Sequence, residues 1–123
     1  MKNKPFTTWT VNGKSYDLRL TTRQVVSIEE NLKINLIKIF MGSGNGFEIP
    51  PLKIMLLVIH GAMQKFSHGV SLEDVYDIFD DYVVEGNSQV ELLTEVILPL
   101  FEVSGFIPRK EKEETTPALE AVK

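Results

Sequence analysis

Residues 51–66 read PLKIMLLVIHGAMQKF, and the interpretation of this stretch decides the fold. Pro50 and Pro51 signal a helix start, because a proline in the first turn gives up no hydrogen bond the helix would have made. Ile54 to Ile59 are apolar without a break, and Ala62, Met63 and Phe66 continue down one face. A helix that is apolar all round has to be covered all round. The run is far shorter than the roughly 20 apolar residues needed to cross a bilayer. The expectation is a buried helix over 51–66, with the other elements packed against it and no membrane partner.

A chain of 123 residues is long enough for one domain with a single core. With no cysteine, disulfides, thiolate metal sites and thiol catalysis are excluded. The opening Met1-Lys2-Asn3-Lys4-Pro5 runs into a polar, alternating segment rather than an apolar one, so no secretory signal is read and an intracellular site is expected. The net charge of −4 conceals an uneven distribution. Residues 1–65 hold nine Lys/Arg against four Asp/Glu, whereas residues 66–108 hold nine acids and no Lys or Arg. Such asymmetry bears on association rather than on fold. One reading is head-to-tail self-association into a homo-oligomer. The simpler one is that the halves neutralise each other, or that the acids face water.

Outward from the central stretch, residues 6–20 read as a hairpin. Phe6–Val11 and Ser15–Leu20 flank Asn12-Gly13, a strong signal for a two-residue turn. That loop pairs Val11 with Lys14, Trp9 with Tyr16 and Thr7 with Leu18. One face then carries Trp9, Val11, Tyr16, Leu18 and Leu20, and a slip of one residue would turn that set to water. Trp9 and Tyr16 either pack in the core, as an isolated hairpin requires, or form an exposed aromatic patch. Thr21-Thr22-Arg23-Gln24 fits a capping box opening a helix over 22–33, with Val25, Ile28 and Leu32 inward and Arg23, Glu29, Glu30 and Lys33 outward. Asn35 caps a short helix over 36–41. Gly42-Ser43-Gly44-Asn45-Gly46 then breaks the chain. It lacks the GK[ST] ending of a phosphate loop and reads as a surface connector, with Phe47 and Ile49 folding back onto the core.

Beyond the central helix, Ser71 caps a helix over 72–84. Its apolar stripe is Leu72, Val75, Tyr76, Phe79, Tyr82 and Val83; Glu73, Asp74, Asp77, Asp80 and Asp81 cover the other side. Asp77 and Asp81 stand one turn apart, but the spacing is not that of a calcium loop, and a solvated acidic face is expected. Ser88 and Glu91 open a last helix through Phe101, with a kink expected near 95–99 because Pro99 lacks an N–H and presses on the carbonyl of Glu95. Residues 109–123, RKEKEETTPALEAVK, have the composition of a disordered tail. The fold class is therefore α+β and mostly helical: an N-terminal β-hairpin on a bundle of about four to five helices around the central one, one domain over 1–108.

The residues carry no sign of catalysis. His60 and His68 lack the spacing that would place them together on a helix. No serine stands in a nucleophile elbow, and no carboxylate pair sits in an apolar setting that would raise a pKa. No basic-aromatic stripe points to nucleic acid. The expectation is a protein that is not an enzyme, with no cofactor and no metal.

Three stretches, TWTVNGKSYDLRLTTRQVVSIEENL (8–32), NLIKIFMG (35–42) and LPLFEVSGF (98–106), resemble the tail assembly chaperones of long-tailed bacteriophages and prophages of Gram-positive hosts. The resemblance covers residues 6–107 and rests on apolar and turn patterns rather than on chemical signatures. It implies a viral, non-enzymatic helical protein acting in the host cytoplasm and absent from the mature virion. It also implies two partners: the tape measure protein, kept soluble, and the tail tube protein, recruited to it. The tail 109–123 would suit a linker to a frameshifted second domain. A chaperone of this kind needs exposed surface complementary to amphipathic helices. The candidates are stripe ends that one domain leaves uncovered, Tyr76, Tyr82 and Phe101, with the acidic side Glu73, Asp77 and Asp81. Two other classes stay open, a virion structural or adaptor protein and a small DNA-binding regulator using helix 22–33, against which Glu29 and Glu30 count.

Overall fold

Asn12 and Gly13 both adopt positive φ, 56° and 76°, the conformation a two-residue hairpin turn requires. In the computed structural model, which describes residues 5–41 and 49–108, they join β1 (Thr7–Val11) to β2 (Lys14–Leu18). The register is the expected one: Thr7 faces Leu18, Trp9 faces Tyr16 and Val11 faces Lys14. Trp9, Val11, Leu18 and Leu20 are buried, so the aromatic patch reading falls away at Trp9; Tyr16 is half-buried beside it. On the outer face Thr8 Oγ1 donates to Asp17 Oδ1 (3.0 Å), and the Thr10 and Ser15 hydroxyls pair at 2.9 Å. Asn12 N–H donates to Glu85 Oε2, which ties the hairpin tip to the far end of the chain's acidic helix.

Five helical stretches follow: α1 (Thr22–Leu32), α2 (Leu36–Met41), α3 (Leu52–Met63), α4 (Leu72–Val84) and a run from Gln89 to Ser104. This run consists of α5 (Gln89–Glu91), a π-helical segment (Leu92–Ile97) and α6 (Leu98–Ser104). The fold is thus a small α+β one, a hairpin laid on helices, as the pattern of residues implies. α3 is the core element, in contact with α1, α4, β2 and the π segment. Seven of its residues, from Met55 to Met63, are buried. Each large aliphatic side chain so covered contributes about 1.5–3 kcal/mol.

The central helix is shorter than 51–66. Pro51 is its N-cap, accepting from the N–H groups of Ile54 and Met55, and the helix closes at Met63. Phe66 lies past the end and stays 41% exposed, meeting Phe6 edge-on at 5.5 Å rather than extending the core face. His60 is structural: its Nε2 donates to the Val70 carbonyl oxygen (3.1 Å), which Gln64 Nε2 also reaches (3.3 Å), so the 64–71 turn is bound to α3.

Two helix starts differ from expectation. Thr21 Oγ1 accepts from Gln24 N–H (3.2 Å), but the Gln24 side chain lies over Gly61 of α3. Glu29 does not face out: its Oε2 accepts from Leu36 N–H (2.9 Å) while Asn35 Oδ1 accepts from Lys38 N–H (3.0 Å), so two side chains cap α2. The glycine run 42–46, Phe47 and the 109–123 tail lie outside the described residues.

The kink expected at Pro99 takes the form of a π turn. Leu98 N–H donates to Leu93, five residues back, and Pro99 then opens α6. Buried residues here recur every four positions, at Leu92/Leu93, Val96/Ile97 and Leu100/Phe101. In a regular α-helix four residues overshoot one turn by about 40°, so such a stripe drifts off its face. The wider turn holds all three pairs on the core.

Candidate protein-docking groove

α4 carries more apolar surface than the core can cover. Val75 and Tyr82 are buried and Ile78 and Phe79 half-buried, but Tyr76 is 38% and Val83 46% exposed. Since α4 returns along α3, its exposed stripe faces the flank of α3. Between them lies an open groove of about 410 Å³, lined by Leu52, Lys53, Leu56, Tyr76, Phe79 and Asp80. Lys53 stands on the α3 wall and Asp80 on the α4 wall; the rest of the lining is apolar apart from the Tyr76 hydroxyl.

Helical spacing sets the charge around it. Glu73, Asp77 and Asp80 stand at i, i+4 and i+7, which places them in one row along the solvent side of the Tyr76–Val83 stripe. All three are exposed, as is Asp81. Asp74 is committed elsewhere. It accepts from Ser71 N–H (3.0 Å) while Ser71 Oγ accepts from Asp74 N–H (3.0 Å), a complete capping box. These bonds hold its carboxyl below the ordinary value of 3.8.

Of the residues expected to meet a partner, only Tyr76 lines the groove; Glu73 and Asp77 are exposed on α4, in the helical row that Asp80 carries into the lining. Asp81 is exposed further round the acidic face. Tyr82 and Phe101 need correcting, because both are covered from within the same domain. Tyr82 is 5% exposed, its ring edge-on to Trp9 at 5.5 Å. Phe101 is 1% exposed, edge-on to Phe40 of α2 at 5.0 Å. Burial pushes the Tyr82 phenol up to about 12, with Glu95 and Glu91 adding to the shift. Leu52, Lys53, Leu56 and Phe79 were not foreseen as groove residues. A helix apolar on every side gives no hint of which flank is left open.

A second concavity, of about 480 Å³, lies along α1 and is lined by Thr22, Arg23, Val26, Ser27 and Glu30. It offers one apolar side chain and charges of both signs. Among the described residues, no group of three or more His, Asp or Glu side chains could hold a metal ion, and no helix is long and apolar enough to cross a membrane.

Residues 3–123 match a family described as "Family of unknown function (DUF6096)". No curated protein and no solved structure matches the chain.

Proposed function

We propose that this chain, which belongs to the DUF6096 family, is a non-enzymatic tail assembly chaperone of a phage or prophage. In this reading it binds the tape measure protein in the host cytoplasm, recruits tail tube subunits to it, and leaves before the virion is complete. The resemblance carried by residues 8–32, 35–42 and 98–106 supports the reading. So does one observation above the others: an open groove between α3 and α4 whose lining is apolar apart from Lys53, Asp80 and the Tyr76 hydroxyl. Uncovered apolar surface of this kind is where a soluble protein receives a helix of another.

Co-expression with the tape-measure-like protein encoded beside it tests the proposal. The expected result is a co-purifying complex and a tape measure protein that aggregates when expressed alone. A tape measure protein equally soluble alone and forming no complex overturns it. Purified particles that retain the chain would make it a virion component instead.

A further inference from the structure

We infer that the α3–α4 groove takes an amphipathic helix edged with lysine and arginine, seated by its apolar stripe and held along the α4 side by its basic edge. The inference rests on reading the chain as a carrier of other proteins, and it names the chemistry of what is carried.

The apolar half of the argument is geometric. Tyr76 and Phe79 stand on α4 opposite Leu52 and Leu56 of α3, and Val83 continues their helical row beyond the groove lining, about 10 Å of helix axis in all. Two turns of a helix with apolar residues at i, i+3 or i+4, and i+7 match that length. Tyr76 is the anchor, an aromatic ring with a polar tip, partly exposed in the groove lining.

The charged half fixes the occupant. Asp80 lines the α4 wall, and helical spacing sets the exposed Glu73 and Asp77 in a row with it, in a segment where residues 66–108 contain no Lys or Arg at all. A helix with an acidic edge would set like charges in register against that row; a basic edge meets opposite ones. Lys53 on the other wall adds direction, since it favours a neutral or acidic residue on the α3 side of the incoming helix. A second copy of the chain is a poorer occupant. The concave surface of its basic half along α1 offers Val26 as its one apolar side chain, among Thr22, Arg23, Ser27 and Glu30.

Two fluorescent synthetic helices of about 20 residues, sharing one leucine stripe but edged with lysine or with glutamate, make the test. They are titrated with the full chain by fluorescence anisotropy at about 0.05 M and 0.5 M NaCl. At low salt the lysine-edged peptide should bind at least about tenfold more tightly than the glutamate-edged one, as three exposed ion pairs allow. The difference should shrink at high salt. Tyr76→Ala should weaken the lysine-edged peptide by about tenfold or more, while Val26→Ala on α1 leaves it unchanged, with circular dichroism confirming that both variants fold. Equal binding of the two peptides overturns the inference, as does indifference to Tyr76→Ala. A homodimer in sedimentation that Tyr76→Ala dissolves also overturns it. A tape measure complex that forms while the lysine-edged peptide fails would leave the chaperone reading standing with a different surface; the reverse pattern would remove that reading and keep the groove.

Discussion

Arg19 Nη1 donates to the carbonyl oxygen of Val103, 3.0 Å away and 84 positions along the chain. The same nitrogen donates to the Pro5 carbonyl oxygen at 2.7 Å. The backbone beside it is tied down too: Arg19 N–H donates to Ala62 and Leu20 N–H to Ser104 Oγ. The two residues leaving the hairpin therefore hold the C-terminal ends of α3 and α6, where the cation also meets the negative end of a helix. Arg19→Ala should cost about 2–3 kcal/mol, because the Val103 carbonyl at the end of α6 and the Pro5 carbonyl lose their charged donor. Arg19→Lys should recover only part, since the shorter lysine side chain does not carry its ammonium as far as the Nη1 position that serves both carbonyls. Urea unfolding reads this as a lower midpoint with unchanged slope; an unmoved midpoint for Arg19→Ala would refute it.

At Gly61 of α3 the side chains of Gln24 and Ile28 from α1 come close to the helix backbone. A Cβ added there would stand 3.3 Å from Gln24 Oε1 and 3.3 Å from Ile28 Cδ1, both ends of flexible side chains. Gly61→Ala should therefore be close to neutral, the helix preference of alanine, about 1 kcal/mol, offsetting the small displacement. Gly61→Leu has no such escape and should destabilise by about 1–3 kcal/mol through overpacking. Equal melting temperatures for the alanine and leucine variants would show that α1 is not seated on this glycine.

Elements whose cause is local were legible in the sequence. Asn12-Gly13 with alternation on either side gives the hairpin, its register and its buried face, because turn chemistry and period act over a few residues. Ser71 with Asp74 marks the start of α4 for the same reason. Features set by tertiary contact were not legible. The apolar stripes of α4 and of the last helix do not say which members the core will cover, so Tyr82 and Phe101 looked as available as Tyr76 until the hairpin and α2 were in place. Glu29 looked solvated because its target, the Leu36 N–H, belongs to the next helix. The groove stayed hidden because its apolar α3 members, Leu52 and Leu56, read like the rest of an apolar helix, and Lys53 alone marks the flank. The π segment did leave a signal, the strict recurrence of apolar pairs every four residues from Leu92 to Phe101, beside the more conspicuous Pro99.

Tyr82 gives the fold an alkaline limit. Its phenol is pushed up to about 12 from 10.0, so above pH 10 the unfolded chain gives up this proton before the folded one does. Stability from this source is whole below about pH 10 and is lost as pH rises towards about 12, since the unfolded state binds fewer protons across that window. The melting temperature of Tyr82→Phe should fall less steeply than that of the wild type between about pH 10 and 12. Parallel curves for the two proteins in that window would exclude Tyr82 as the group responsible.

The π segment leads to the sharpest prediction. Thr94 is exposed and lies inside the π segment, between the buried Leu93 and Val96. Deleting it would change the spacing of the buried pairs from strict fours to the alternating threes and fours of a regular amphipathic α-helix. Pro99 would then lie inside that helix, where it blocks one hydrogen bond and crowds a carbonyl at a cost of about 3 kcal/mol. Deletion of Thr94 alone should therefore destabilise by about that amount. Pro99→Ala alone should change little, because core packing of Leu100 and Phe101 still demands the wide turn. The two changes together should restore stability to within about 1 kcal/mol of the wild type, with a coupling energy far outside additivity. Thermal melts of the four proteins decide it, and a double variant no more stable than the single deletion would mean that the wide turn exists for a reason other than phase.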